Sequence, residues 1–218
     1  MFGHTLYLQW KWNRDFLAFY TLIAFATPLL ILWIALPHVG LSSARELVFI
    51  GGVVGSGIAG ISVLAGITVA WQGYGMDERV GHIYALSLPI TRARALAIRA
   101  STALGLLMLP AVGAWAGASL AVGQIALPTT LHGYAGSLAG RALLASWLAH
   151  ACVFALRYSA GRRAKVVLFA LIFASGSLAF ATEAVPGARG TILRAGDFLI
   201  SNPGPFGAFF GRWTLIDV

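Results

Sequence analysis

The chain has 218 residues, of which 59% are hydrophobic and only 10% are charged, and its formal net charge is +8. A soluble domain usually contains about 25% charged residues, so this composition excludes an ordinary water-soluble domain. The bases stand between apolar runs, where the positive-inside rule explains them, so no nucleic-acid partner is expected. The single Cys152 excludes an intramolecular disulfide framework.

The N-terminal segment is predicted to form an amphipathic helix over residues 2–14. Phe2, Leu6 and Trp10 recur at spacings of four, and Trp10 and Trp12 flank Lys11. Indoles beside a base are typical of a helix that lies in the lipid headgroup layer. A short irregular tail with aromatic anchors is the alternative.

Uncharged runs of about 18 or more residues predict spanning helices. We predict five, at 16–37, 46–71, 98–122, 137–157 and 164–182, in an all-α integral membrane fold whose transmembrane domain covers residues 1–182. Pro28 and Pro110 predict kinks in the first and third spans. The segment before span one and the segments after spans two and four carry ten bases, against five on the other side. This bias places the N-terminus in the cytoplasm.

Small residues at a spacing of four predict close helix packing in the second and third spans. The positions concerned are Gly51, Gly55, Gly60, Gly66, Gly113 and Gly117. Such spacings also arise by chance in a chain with 26 glycines. The pattern therefore favours tight packing within the bundle over a specific dimer interface.

Residues 75–94, called the charged loop below, separate the second and third spans. Asp77 and Glu78 stand at the predicted start of a short helix, where the helix dipole favours acids, and Pro89 ends that helix. Thr91 is the predicted N-cap of the next helix. A segment this polar cannot lie in hydrocarbon, so we predict that it faces water and contacts a partner.

The charged loop resembles the cytoplasmic loop of type-2 ATP-binding cassette (ABC) exporter permeases. The matching residues are Glu78, Arg79, Val80, Gly81, Leu86, Ser87, Leu88, Pro89, Ile90 and Arg92. In that family the loop carries the coupling helix, which sits in a cleft of a separate ATPase subunit. The resemblance thus implies ATPase contacts at Asp77, Glu78, Arg79, Gly81, His82, Tyr84, Leu86, Pro89 and Arg92. At 82–84 the chain departs from the family, which often has a Thr and an acid there.

The resemblance implies an exporter permease in a bacterial cytoplasmic (inner) membrane, paired with a second permease copy or a homologue. Cytoplasmic ATPase subunits would bind ATP and Mg²⁺, and this chain would contribute no catalytic residue, cofactor site or metal site. Two readings from other classes are a membrane-embedded enzyme acting on lipid or peptide and a non-transporting membrane assembly factor.

Residues 183–218 are rich in Gly and Pro and predict an extracytoplasmic tail that is interfacial or re-entrant. Because the family has six spans, we expect the sixth to follow Val218, and a chain that ends outside the cell is the alternative. His150 in the fourth span and Glu183 after the fifth are candidate pathway residues. A histidine hydrogen-bonded to a neighbouring helix and a solvated helix end are their structural alternatives.

Overall fold

The computed structural model describes residues 2–35, 44–79, 91–125, 127–160, 163, 166–167, 170 and 213–217. Met1–Phe154 and Trp213–Val218 belong to one compact unit, and Ala155–Arg212 form a second. The described elements are α1 (Phe2–Ala35), α2 (Ala44–Arg79), α3 (Arg92–Leu106), α4 (Met108–Gly123), β1 (His132–Gly133), α5 (Ala135–Ala160) and β2 (Ile216–Asp217).

Four helical segments within these described ranges are long and apolar enough to cross a membrane. They are Phe2–Ala35, Ala44–Gly73, Ala93–Gly123 and Ala135–Ser159. Large apolar side chains also point away from the protein interior, among them Trp33, which is 74% exposed, and Phe49, which is 72% exposed. The first four predicted spans are confirmed as helices, whereas the fifth, at 164–182, falls mostly outside the described residues.

The segment 2–14 is helical, as predicted, but it forms the first turns of α1 and is continuous with the first span. The helix continues because neither glycine nor proline occurs between Gly3 and Pro28, and these residues are the usual helix breakers. Pro28 itself lies inside α1 without ending it. A position of residues 2–14 in the headgroup layer stays a prediction.

The third predicted span is broken at Leu107, which separates α3 from α4. The break lies three residues before Pro110, whose ring would clash with the carbonyl of Leu106 in a continuous helix. The Leu107 amide donates to the Ala103 carbonyl at 3.0 Å, which closes the last turn of α3. The kink predicted from Pro110 is therefore confirmed as a break.

Helix α2 runs antiparallel to α1. The Tyr20 hydroxyl lies 2.9 Å from Thr68 Oγ1, and Gly57 on α2 faces Thr27 further along α1. As positions on α1 increase, their partners on α2 decrease. The C-terminal end of α2 consequently lies beside the N-terminal half of α1.

Helix α4 runs parallel to α1 and touches its main chain. Gly113 faces Thr21, and Gly117 faces Phe25, so residues four apart on one helix meet residues four apart on the other. Since α3 leads into α4, the N-terminal ends of α1 and α3 lie at the same end of the bundle as the C-terminal end of α2.

The opposite end of the bundle holds a two-stranded antiparallel ladder that the all-α prediction did not include. His132 pairs with Asp217, and Gly133 pairs with Ile216. Leu215 and Ile216 are fully buried against α2 in the larger of two apolar clusters. Of the tail predicted at 183–218, the structure describes only 213–217, which lie at the end of the bundle opposite Arg79.

Candidate functional site at the charged end of the bundle

The charged loop begins inside a helix. Asp77 and Glu78 occupy the last turn of α2, which ends at Arg79, so the prediction that they start a new helix is wrong. Gly73 and Gly75 precede them, but each costs a helix only about 1 kcal/mol, and no proline follows until Pro89. Acids in a last turn face the negative end of the helix dipole, which disfavours them by about 0.3–1 kcal/mol each.

The loop's other predicted ATPase contacts fall mainly where the structure makes no statement. Gly81, His82, Tyr84, Leu86 and Pro89 all lie outside the described residues. Arg92 is the first residue of α3. The structure thus places the two ends of the charged loop, on α2 and α3, at one end of the bundle.

Thr91 is the N-cap of α3, as its position before the helix predicted. Its backbone is extended, and its side-chain oxygen accepts from the Arg94 amide at 3.4 Å. The Ala95 amide donates to the Thr91 carbonyl at 3.0 Å. These contacts fix the point at which the charged loop becomes α3, because they satisfy amides that a helix start leaves without partners.

A buried polar cluster joins α1 to α3 near this end. Gln9 Nε2 donates to the Arg99 carbonyl at 3.1 Å, and Thr102 Oγ1 lies 2.7 Å from Gln9 Oε1. Asn13, which is fully buried, donates through Nδ2 to the Gln9 carbonyl at 2.9 Å. Its Oδ1 has no hydrogen-bond partner. Hydrogen bonds between helices in an apolar setting fix their register, so α1 and α3 are held together here.

Sequence reasoning missed this cluster. Gln9 and Asn13 are four residues apart and so share one face of a helix, and that spacing is a visible signal. The partner Thr102 lies 93 residues away from Gln9 in the sequence. No local pattern points to that partner, so the pairing emerges only from the fold.

The glycines singled out by spacing differ in what they face. Gly51 and Gly55 on α2 lie against the backbone of Ile216 and Trp213, Gly66 lies against the Ser146 carbonyl on α5, and Gly113 and Gly117 lie against Thr21 and Phe25. Gly60 has no neighbouring atom within 4 Å of where a Cβ would stand. Five of the six positions thus mark close backbone approach, and Gly60 does not.

His150 lies buried between α5 and α2, with 3% of its surface exposed. Its ring stacks on Phe154 at a centroid distance of 5.6 Å, and the Gly66 backbone is the polar group that faces it. Neither ring nitrogen makes a hydrogen bond of standard length and angle. The polar group nearest the ring thus belongs to a neighbouring helix, and both interpretations of His150, a pathway residue and a histidine held by a neighbouring helix, stay predictions. The other candidate pathway residue, Glu183, lies outside the described residues.

The four apolar helices indicate a multi-pass membrane protein. No family model, curated protein or solved structure matches the chain.

Proposed function

We propose that the chain is the permease subunit of an ABC exporter and that its charged loop contacts separate ATPase subunits. The proposal rests mainly on one observation: residues between Glu78 and Arg92 resemble the coupling loop of ABC exporter permeases. Apolar helices long enough to cross a membrane flank this loop on both sides. The translocation path forms between this chain and a second permease copy or a homologue. ATP and Mg²⁺ bind to the ATPase partners.

The orientation follows from the bases at the loop's end of the bundle. Lys11 and Arg14 on α1 lie at the same end as Arg94 and Arg99 on α3, because Gln9 on α1 contacts the Arg99 carbonyl. By the positive-inside rule this end faces the cytoplasm of a bacterial inner membrane, where a soluble ATPase can reach it.

The polar cluster supports a route for the mechanical signal. A push on the charged loop moves α3 directly, because Thr91 connects the loop to the first turn of that helix. Gln9 ties α1 to α3 through Arg99 and Thr102, so α1 follows. The closely packed Gly113 and Gly117 then carry the motion of α4 onto the main chain of α1. Such rigid-body tilting is a common way to alternate access across a membrane.

Co-purification with an ATPase subunit tests the proposal. Wild-type protein, co-expressed with a candidate ABC ATPase subunit, should retain that ATPase through affinity purification, whereas Glu78→Arg and Gly81→Trp should lose it. Glu46→Arg is the matched control for Glu78→Arg and should retain the ATPase. Glu46 is exposed and lies in the first turn of the same helix. Gly123→Trp is the control for the glycine, since Gly123 has open space at the far end of α4.

If the wild type retains no ATPase, the permease proposal fails. If it does, stimulation of ATP hydrolysis by a cargo separates transport from docking. A transporter should hydrolyse ATP faster with its cargo in reconstituted vesicles. An assembly factor that uses the charged loop only for docking should show no cargo dependence.

A further inference from the structure

An apolar groove of about 390 Å³ runs along the outer surface between α1 and α4. Its α1 wall consists of Trp10, Leu17, Ala18, Thr21, Leu22 and Phe25, and Leu109 and Gly113 form its α4 wall. The volume lies within the range of about 300–1,000 Å³ that is usual for small-molecule sites. An apolar cavity at membrane depth takes an apolar occupant.

The groove runs about 22 Å along α1 from Trp10 to Phe25, at 1.5 Å per residue. The part that matches one lipid leaflet runs from Arg14 to Phe25, a step of eleven residues or about 16 Å. Half of a hydrocarbon core about 30 Å thick is about 15 Å. A single acyl chain from one leaflet therefore fills the groove from the headgroup layer to the middle of the bilayer.

The headgroup end of the groove carries bases. Arg14 is four residues from both Trp10 and Ala18, so it lies on the face that lines the groove. Lys11 precedes Ala18 by seven residues and lies at the edge of the same face. Both bases are exposed, and the Arg14 ion pair with Asp15 at 3.4 Å is equally exposed, so it competes weakly with a lipid phosphate.

Trp10 completes the arrangement. Indole rings prefer the boundary between headgroups and acyl chains, and Trp10, which precedes both bases in α1, lies with them at the headgroup end of the groove. From this grouping of one indole and two bases at one end of an apolar wall we propose that the α1–α4 groove binds one acyl chain of an anionic phospholipid, whose phosphate lies at Arg14 and Lys11. The proposal does not depend on the exporter proposal.

Native mass spectrometry of the full chain tests it. The protein is reconstituted in nanodiscs of equal parts phosphatidylglycerol and phosphatidylcholine and released with its retained lipids. The wild type should retain one phosphatidylglycerol, with a preference of roughly fivefold over phosphatidylcholine, as expected for one net base near the surface. Arg14→Gln should keep a lipid but lose that preference.

Ala18→Trp fills the groove and should abolish retention of the lipid. Ala151→Trp is the matched control, because Ala151 is also an exposed helix residue but lies on α5, away from the groove. Equal retention of the two lipids by the wild type, or unchanged retention by Ala18→Trp, would overturn the proposal. Arg14→Gln keeps the test valid if the tryptophan variant fails to fold.

A second copy of the chain is the rival occupant of the groove. Ala18→Cys in a Cys152→Ser background should give no disulfide-linked dimer under mild oxidation, since a lipid covers position 18. Efficient cross-linking of two copies through position 18 would show that a second copy of the chain occupies the groove, and this result would contradict the lipid proposal.

Discussion

Gly117 lies directly against the main-chain carbonyl of Phe25, with no room between them for a methyl group. A Cβ at Gly117 would overlap the Phe25 oxygen and come within 2.8 Å of its carbonyl carbon. One turn earlier a Cβ at Gly113 would stand 2.7 Å from the Thr21 carbonyl oxygen. The two parallel helices are thus in backbone contact over at least one full turn.

Gly117→Ala should lower the free energy of unfolding by about 1–3 kcal/mol, because the added methyl must push α1 and α4 apart. Reversible unfolding in mixed detergent micelles measures the change. Gly105→Ala in α3 is the control, since Gly105 has open space and alanine is a better helix former by about 1 kcal/mol. A loss of stability in the control equal to that of Gly117→Ala would contradict the explanation.

Gly55→Ala should displace the buried segment 213–217, because a Cβ there would overlap the Trp213 carbonyl. The measurement is labelling of Leu215→Cys by a water-soluble maleimide in a Cys152→Ser background. Labelling should rise at least about fivefold, since overpacking of this kind costs about 1–3 kcal/mol. Gly60→Ala serves as the control, as no atom faces that position, and it should leave the labelling rate unchanged.

Thr102→Val should destabilise the protein by about 1–3 kcal/mol, because it leaves the buried Gln9 Oε1 without its hydrogen bond. Gln9→Leu should cost less, because the Thr102 hydroxyl still reaches the Arg99 carbonyl at 2.9 Å. The double variant removes both partners at once and should cost less than the sum of the two. A double-mutant cycle measures this coupling, expected at about 0.5–3 kcal/mol. Ser101→Ala is the neighbouring control, since Ser101 is exposed and its hydroxyl bonds only within its own helix.

His150→Phe should leave stability unchanged or raise it by about 1 kcal/mol, because a ring of similar shape is kept while two buried nitrogens that make no hydrogen bond of standard length and angle are removed. Trp147→Phe on the same helix should instead cost about 1 kcal/mol, since it deletes the hydrogen bond from Nε1 to the Leu104 carbonyl at 3.0 Å. A stable His150→Phe protein that has lost cargo-stimulated ATP hydrolysis would identify His150 as a pathway residue. Full activity in that variant would assign it a packing role.

Hydropathy located the helices in this chain but not their ends. The apolar run predicted at 46–71 belongs to a helix that continues to Arg79, because a helix stops where its backbone loses hydrogen-bond partners and not where its side chains become polar. The local backbone signals at Thr91, a helix N-cap, and at Pro110, a helix breaker, predicted a helix start and a helix break correctly. The acids Asp77 and Glu78, by contrast, did not mark a helix start.

Contacts between distant residues were beyond the reach of the sequence. Gly55 and Gly60 look alike in the sequence, yet only Gly55 faces another chain segment, and that segment is more than 150 residues away. Likewise, the spacing of Gln9 and Asn13 shows a polar face but not the helix that covers it. The spacing of residues along a helix shows which face carries small or polar side chains. Which other element packs against that face depends on the topology of the whole chain.

The buried segment around Leu215 can pack into the bundle only late in synthesis, because it follows its contact partners in the sequence. Its amide donates to the Gly51 carbonyl at 3.1 Å, and its own carbonyl accepts from the Tyr134 amide at 2.8 Å. Residues 51 and 134 leave the ribosome long before residue 215. Until that residue arrives, the α2 surface beside Gly51 and Gly55 lacks the segment that covers it in the folded chain. This end of the bundle is therefore completed only after synthesis has reached β2, and a nascent chain halted earlier leaves that α2 surface without its cover.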